Sequence, residues 1–353
     1  METKFYAATG LWILLLTAAC SEKQPFMTAE ALPNGQYVVC ESGAPVLQYN
    51  YQTVYEQDVI RPESQKGMKI EYYPIEGLYV DEYYKSNPGI DKTGKATSAI
   101  WAIPRSDYIH PLYGLNGEML TSDWPDADHP HHRGIFLGWP EVEYGSKRGD
   151  IYALQRVFAR PTGNIRLTNG SDFAEIEAEN RWMWEEKEAI VHEMTTIRVY
   201  RASDRERIID LTMALQALTD SVTIATRFTN SYGGLNVRMA TPQNQDISCF
   251  SDLSTASPQR CWATFNGIFE GSPASSGMTI LQHKDNPEYP GAWVKYPELS
   301  WVQPTFPTSG TRYLLSRNKP LVLRYRLIIY QGVKPGDGVL SKQWDDYHSN
   351  KNP

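Results

Sequence analysis

The sequence has no excess of positive charge: 34 Lys and Arg stand against 41 Asp and Glu, a formal net charge of −7. Proteins that grip nucleic acid carry basic patches or stripes to neutralise phosphates, and none occurs here, so nucleic acid is not expected as a partner. Also missing are a GxSxG elbow, a phosphate-binding P-loop and a GxGxxG that opens a helix, so serine-hydrolase, nucleotide-hydrolysing and dinucleotide-dependent chemistries recede. Cysteine is scarce, four in 353 residues, and no CxxC spacing suggests a cysteine zinc site. There is no fixed-period repeat, and no low-complexity linker beyond residues 21–36.

What is present begins at the amino terminus. Lys4 precedes the apolar run Leu11-Trp12-Ile13-Leu14-Leu15-Leu16, shorter than the roughly 20 residues a bilayer span needs, so residues 1–19 are expected to be a cleaved signal peptide. Leu16-Thr17-Ala18-Ala19-Cys20 resembles the bacterial lipoprotein cleavage box, which makes Cys20 the expected lipidation site and residues 20–36 a lipidated polar tether. Ser21 after that cysteine favours the outer membrane, and Ser21-Glu22-Lys23 resembles a surface-export tag. The expected location is therefore the cell envelope, as an outer-membrane lipoprotein with its membrane face open. Of the remaining cysteines, Cys249 and Cys261 either close a loop as a disulfide or stay as small buried thiols.

Strict alternation of apolar and polar residues, the signature of a half-buried strand, recurs along most of the chain. It is clearest in Ile209–Leu215 and Leu321–Ile329, where the odd positions are apolar. Further stretches near 47–54, 67–73, 173–179, 194–200, 222–228 and 278–283 are separated by Asn, Gly, Ser and Pro clusters that mark turns. The expectation is an all-β protein, one large antiparallel β-sandwich over 37–353, with an insertion at about 57–100 and a minor helix near 338–348. With 22 Tyr, 10 Trp and 10 Phe the chain is rich in aromatic filler, and Trp182, Trp184, Trp293 and Trp301 either line a sugar cleft or pack between sheets.

Three of the seven histidines and an arginine fall within Asp128-His129-Pro130-His131-His132-Arg133-Gly134, just after the run Pro104–Pro111. Imidazole exchanges protons near neutrality and is the commonest metal ligand. If the segment is extended, alternation puts His129, His131 and Arg133 on one face and His132 on the other. The first three then meet a ligand, with Arg133 suited to grip a carboxylate, phosphate or sulfate, and His132 is a buried support. The competing reading is a satisfied polar cluster that pins a loop, with Arg133 paired to Asp126 or Asp128. His110 and Asp128 are candidate ligand-binding residues, and Asp123 or Asp128 either orients an imidazole or caps a turn. A second polar island holds His283, Asp285 and Asn286, followed by Trp293. Glu193, beside His192, is either an acid/base partner or a solvated strand residue. A divalent metal on His129, His131 and His132 is an alternative to a site with no cofactor, disfavoured by the adjacent guanidinium.

The run from Tyr108 to Trp139, YIHPLYGLNGEMLTSDWPDADHPHHRGIFLGW, resembles a bacterial family labelled PmoA-like. The likeness extends through Gln282–Pro287, Pro290–Trp293 and Leu323–Arg326, about 250 residues from Pro45 to Gly332, and breaks over 57–100. It implies a sandwich shaped like the galactose-mutarotase superfamily, found in carbohydrate-degradation loci, and it implies no established reaction. The functional expectation is a protein that cleaves or rearranges an oligosaccharide or polysaccharide, as a glycoside hydrolase, lyase or epimerase. His129, His131, His132, Arg133 and His283 are its candidate catalytic residues, and His110, Asp128, Asn286 and Trp293 bind substrate. A non-catalytic glycan-binding lipoprotein is the other class.

Overall fold

Period-two burial decides the architecture. In the strand Glu206–Ala217 every second residue is buried, from Arg207 through Ile209, Leu211, Met213 and Leu215 to Ala217, so one pleated face can cover a core while the other meets water. A computed structural model describes residues 26–68, 80–89, 103–124, 129–229, 231–251 and 260–349. The signal segment, Cys20, Asp126 and Asp128 lie outside the described residues.

Two eight-stranded antiparallel sheets pack face to face. The first runs, in spatial order, Met27–Ala31, Tyr37–Glu41, Ala44–Asn50, Tyr108–Leu112, Ile135–Gly138, Gly234–Arg238, Trp301–Pro304 and Trp293–Tyr296. The second runs Gln243–Ser251, Cys261–Ile268, Ser276–Gln282, Leu321–Gln331, Glu206–Ala217, Glu188–Tyr200, Phe173–Trp184 and Val157–Thr168. A four-stranded sheet, from Arg312–Leu314 through Val222–Ala225 and Glu141–Tyr144 to Lys147–Gly149, completes the fold. The inner faces share one core, in which Val39, Leu47, Ile135 and Val237 of the first sheet join Ile176, Ile197, Leu211 and Ile329 of the second. Each such side chain contributes about 1.5–3 kcal/mol by leaving water. The protein is thus an all-β antiparallel sandwich, with the carboxy-terminal helix Asp337–His348 lying on the outer face of the second sheet through Leu340 and Trp344.

Three departures have local causes. The pairing of Glu188–Tyr200 with Phe173–Trp184 shifts between Ala189 and Val191, a bulge that leaves Ile190 and Val191 both buried. The alternation that follows turns Glu193 inward, so it is a core residue and not a solvated one. Cys249 and Cys261 are free thiols, with no disulfide between them; across the strand pair Cys249 faces Ala263 and Cys261 faces Ser251. The inserted segment, where described, holds short 3-10 turns and the helix Val80–Ser86, and it docks on the first sheet. There the carbonyl of Ile60 lies 2.8 Å from His110 Nε2 and Arg61 Nη1 donates to the Trp124 carbonyl at 2.9 Å.

Candidate functional site

The HPHHRG segment leaves the expected extended path. The His132 amide donates to the His129 carbonyl at 3.0 Å, which closes a turn with Pro130 and His131 at its apex. The turn gathers the three imidazoles into one cluster, with ring centroids 4.8 Å apart for His131 and His132, 5.0 Å for His129 and His132, and 5.7 Å for His129 and His131. Beyond it the chain bends sharply at Gly134, whose φ is +57°. A Cβ there would lie 2.2 Å from the Ile109 carbonyl oxygen, so only glycine fits. The Gly134 carbonyl accepts from the Arg238 amide at 2.8 Å, which fixes the end of the Gly234–Arg238 strand against the histidine turn.

His132 is the structural member of the cluster. Arg238 Nη1 stands 3.2 Å from its Nδ1 and the Tyr152 hydroxyl 3.0 Å from its Nε2. Guanidinium only donates, so Nδ1 is the acceptor and Nε2 carries the proton given to Tyr152. The ring also stacks on Trp301 at 6.1 Å. Burial, then His131, Arg238 and His129, hold its pKa well below the ordinary 6.5, so the ring is neutral at neutral pH. Since both nitrogens are engaged, His132 is not available to ligate a metal. Among the described residues no group of three His, Cys, Asp or Glu is arranged to hold one.

His129 and His131 are only partly buried and line the accessible side. His131 lies against Tyr152, 5.6 Å between rings. Its pKa is also well below 6.5, first through burial and then through His129, Arg227, Arg105 and Arg238. The site is therefore positively biased around a neutral His131. Tyr152 is held from behind by Arg105, which donates to the carbonyls of Tyr152, Leu137 and Ile151 at 2.7, 2.9 and 3.2 Å; burial lowers the Arg105 pKa to about 10. Arg227 Nη1 stands 3.8 Å from Asp150, whose carboxyl is pushed up to about 7 by burial. Tyr232 bridges Tyr152 and Trp301, at 5.2 and 5.9 Å, and extends the aromatic wall.

Residues 100–345, some 70% of the chain, match the model of a family of unknown function, DUF6807. The chain belongs to DUF6807. No curated protein matches it. The DUF6807 region includes the histidine turn and its walls, and it begins after the inserted segment and the first three strands.

Within the DUF6807 region the other expected site residues separate. Arg133 is fully buried and does not share the face of His129 and His131. Its Nε and Nη2 bond to both oxygens of Asp123, the second at 3.3 Å, and its Nη2 donates to the Tyr108 hydroxyl at 2.8 Å. The guanidinium lies 4.4 Å from the Trp124 ring. The expectation that Arg133 meets a ligand is corrected, because its charge is spent on an interior carboxylate. Among the described residues its carboxylate partner is Asp123; Asp126 and Asp128 lie outside the described residues. His110 is buried between Thr121 Oγ1, at 3.0 Å, and Ile60, so it braces the loop rather than contacting substrate.

His283 and Asn286 belong to the second sheet and not to the histidine turn. Asn286 clamps the backbone of Arg324 through two bonds of 2.9 and 2.8 Å, a structural role. His283 packs on Tyr347 and His348 of the carboxy-terminal helix, at 4.9 and 4.7 Å. Trp293 donates its Nε1–H to Cys261 Sγ at 3.0 Å and packs against the core. Arg238, Arg227, Tyr152, Tyr232 and Asp150 were not anticipated. They stand on separate strands and loops without a motif, and only tertiary structure joins them.

Proposed function

We propose that this protein is a cell-envelope lipoprotein, anchored through Cys20, that acts on carbohydrates at the histidine turn. His131, paired with His129, serves as the proton-transferring group, and Arg238 with Arg227 holds an anionic group of the glycoside, the role first expected of Arg133. The observation that carries the reading is the convergence of two partly exposed imidazoles, of which His131 is held neutral, with the guanidiniums of Arg227 and Arg238 and the partly exposed ring of Tyr232, backed from the interior by Tyr152 and Trp301. A neutral imidazole is a competent base. A fixed guanidinium stabilises the negative charge that develops when a proton α to a carboxylate is removed, and the partly exposed ring of Tyr232 suits the apolar face of a pyranose. This combination favours β-elimination or epimerisation of a uronate-type sugar over two-carboxylate hydrolysis, which needs a pair of acids flanking the bond. In elimination, His131 takes the proton on the carbon beside the carboxylate, the bond to the departing glycosidic oxygen breaks, and the proton passes to that oxygen through the imidazole pair. The resemblance of the 108–139 segment to the PmoA-like family supports a sugar substrate.

The test is turnover on a panel of neutral, uronic, sulfated and 3-keto glycosides, following new reducing ends and unsaturated-product absorbance. His131→Ala is expected to lower the rate at least about a hundredfold with the thermal midpoint little changed. Because the base works unprotonated and its pKa lies below 6.5, the rate should hold from pH 8 down to 6.5 and fall only below that. Absence of product from every glycoside, with glycan binding retained, would replace the enzyme by a glycan-binding protein.

A further inference from the structure

The outer face of the second sheet carries two adjacent cross-strand rows of polar side chains with opposite fates. In one, Glu175, Arg198, Asp210 and Arg326 are direct neighbours on four strands, and their charges alternate and cancel. Arg198 Nε donates to Glu175 at 2.7 Å, and Arg326 bonds both oxygens of Asp210 at 2.7 Å each. In the next row Thr196, Thr212 and Arg324 are direct neighbours, followed by His283, whose amide donates to the Arg324 carbonyl at 3.2 Å. The carboxylate at its far end, Glu177 beside Thr196, is taken by Arg166, and nothing in the row cancels Arg324. Among the described residues neither threonine hydroxyl makes a hydrogen bond, and the half-buried Arg324 guanidinium makes no ion pair. All three border a cavity of about 420 Å³, walled by Tyr200 and by Tyr347 of the carboxy-terminal helix, within the size range of small-molecule sites. His283 is held below its ordinary pKa by burial, so three guanidiniums face two carboxylates across this cavity. On the flanking turn Asp285 Oδ2 stands 3.7 Å from His283 Nδ1, and the adjacent Lys284 carries the opposite charge.

We propose that this cavity is a second ligand site, distinct from the histidine turn, for a small hydroxylated monocarboxylate of the uronic- or aldonic-acid class. Arg324 supplies the one uncompensated positive charge, and its planar fork matches a carboxylate. Thr196 and Thr212 offer hydroxyls to the ligand's own hydroxyls, and the two tyrosines flank its ring. A dianion would require a second free cation, which the compensated row withholds. The proposal does not depend on what the histidine turn does.

The test is calorimetric titration of the purified protein with sodium D-glucuronate, with D-glucose as the uncharged counterpart. Glucuronate is expected to bind and glucose to bind at least about tenfold more weakly, since a lost charge-assisted bond changes affinity by about that factor or more. Arg324→Gln should weaken glucuronate at least about tenfold, Arg324→Lys less, and the Thr196→Val/Thr212→Val variant should reduce it without abolishing it. His131→Ala should leave it unchanged. Circular dichroism of each variant confirms folding, which these half-exposed positions tolerate. No glucuronate binding, equal binding of glucose, binding that survives Arg324→Gln, or binding lost in His131→Ala would each overturn the proposal.

Discussion

Arg133 and Arg238 approach the same loop from two sides and end in opposite situations. Arg133 is sealed inside, its charge matched by Asp123, its fork completed by Tyr108 and its faces covered by Tyr108 and Trp124. Arg238 reaches a neutral ring, His132, at the edge of the histidine turn. The charge of Arg133 is matched by a carboxylate inside the fold, whereas the ring that Arg238 meets is neutral, so that contact leaves the field of the guanidinium uncancelled. The difference separates scaffold from site better than residue type does, since both are arginines beside histidines.

The sharpest way to break this comparison is at Arg133. Replacing it with Met strands the Asp123 carboxylate in the interior and is expected to cost about 3–5 kcal/mol, measured by denaturant unfolding. A cost below about 1 kcal/mol would mean that the pair is not the scaffold described. Gly134→Ala, which forces a Cβ against the Ile109 carbonyl at positive φ, should destabilise by more than about 1 kcal/mol. Arg238→Met should do the reverse of Arg133→Met, with stability lowered by only about 1 kcal/mol while turnover of, or affinity for, an anionic glycoside falls at least about tenfold. Equal losses on neutral and anionic glycosides would deny Arg238 its role.

The smallest effect concerns a third interior polar group. Glu193 and Asp107 hydrogen-bond one another in the core, with Trp182 Nε1 donating to Glu193 at 2.6 Å and the Tyr49 hydroxyl to Asp107 at 2.6 Å. Burial raises both pKa values, that of Glu193 well above 4.5. Where the folded state keeps a proton that the unfolded chain releases, stability falls as pH rises from about 4.5 toward the folded value. Glu193→Gln removes that dependence, so its stability relative to the native protein should grow by about 1 kcal/mol between pH 5 and 8. Parallel curves would show that the pair does not retain a proton.

The strands were legible because burial on one face writes itself as alternation. Leu211 and Asp210 are assigned to opposite faces by position alone, and the carboxy-terminal helix was placed within a residue of its start. Glu193 was misread because a carboxylate breaks the apolar pattern, although it is in phase with the inward Val191, Ile197 and Val199 of the same strand. The histidines were legible as a cluster, since three imidazoles in four residues cannot be far apart. Its geometry was not, because alternation of faces holds only for an extended chain, and the chain turns at Pro130 and His131. Asp123 as the partner of Arg133 was hidden for the same reason: ten residues of chain loop back to form the pair.

By itself the sequence determined the layer pattern, most inward residues of the long strands and the clustering of the histidines, because these follow from period-two burial and from local crowding of side chains. Tertiary structure alone decided that Arg133 meets Asp123 and Arg238 meets His132, that Tyr152, Tyr232 and Trp301 pack around the histidines, and that Thr196, Thr212 and Arg324 stand side by side. Those outcomes depend on strand register and loop closure between residues up to more than a hundred positions apart, and no local pattern carries that information.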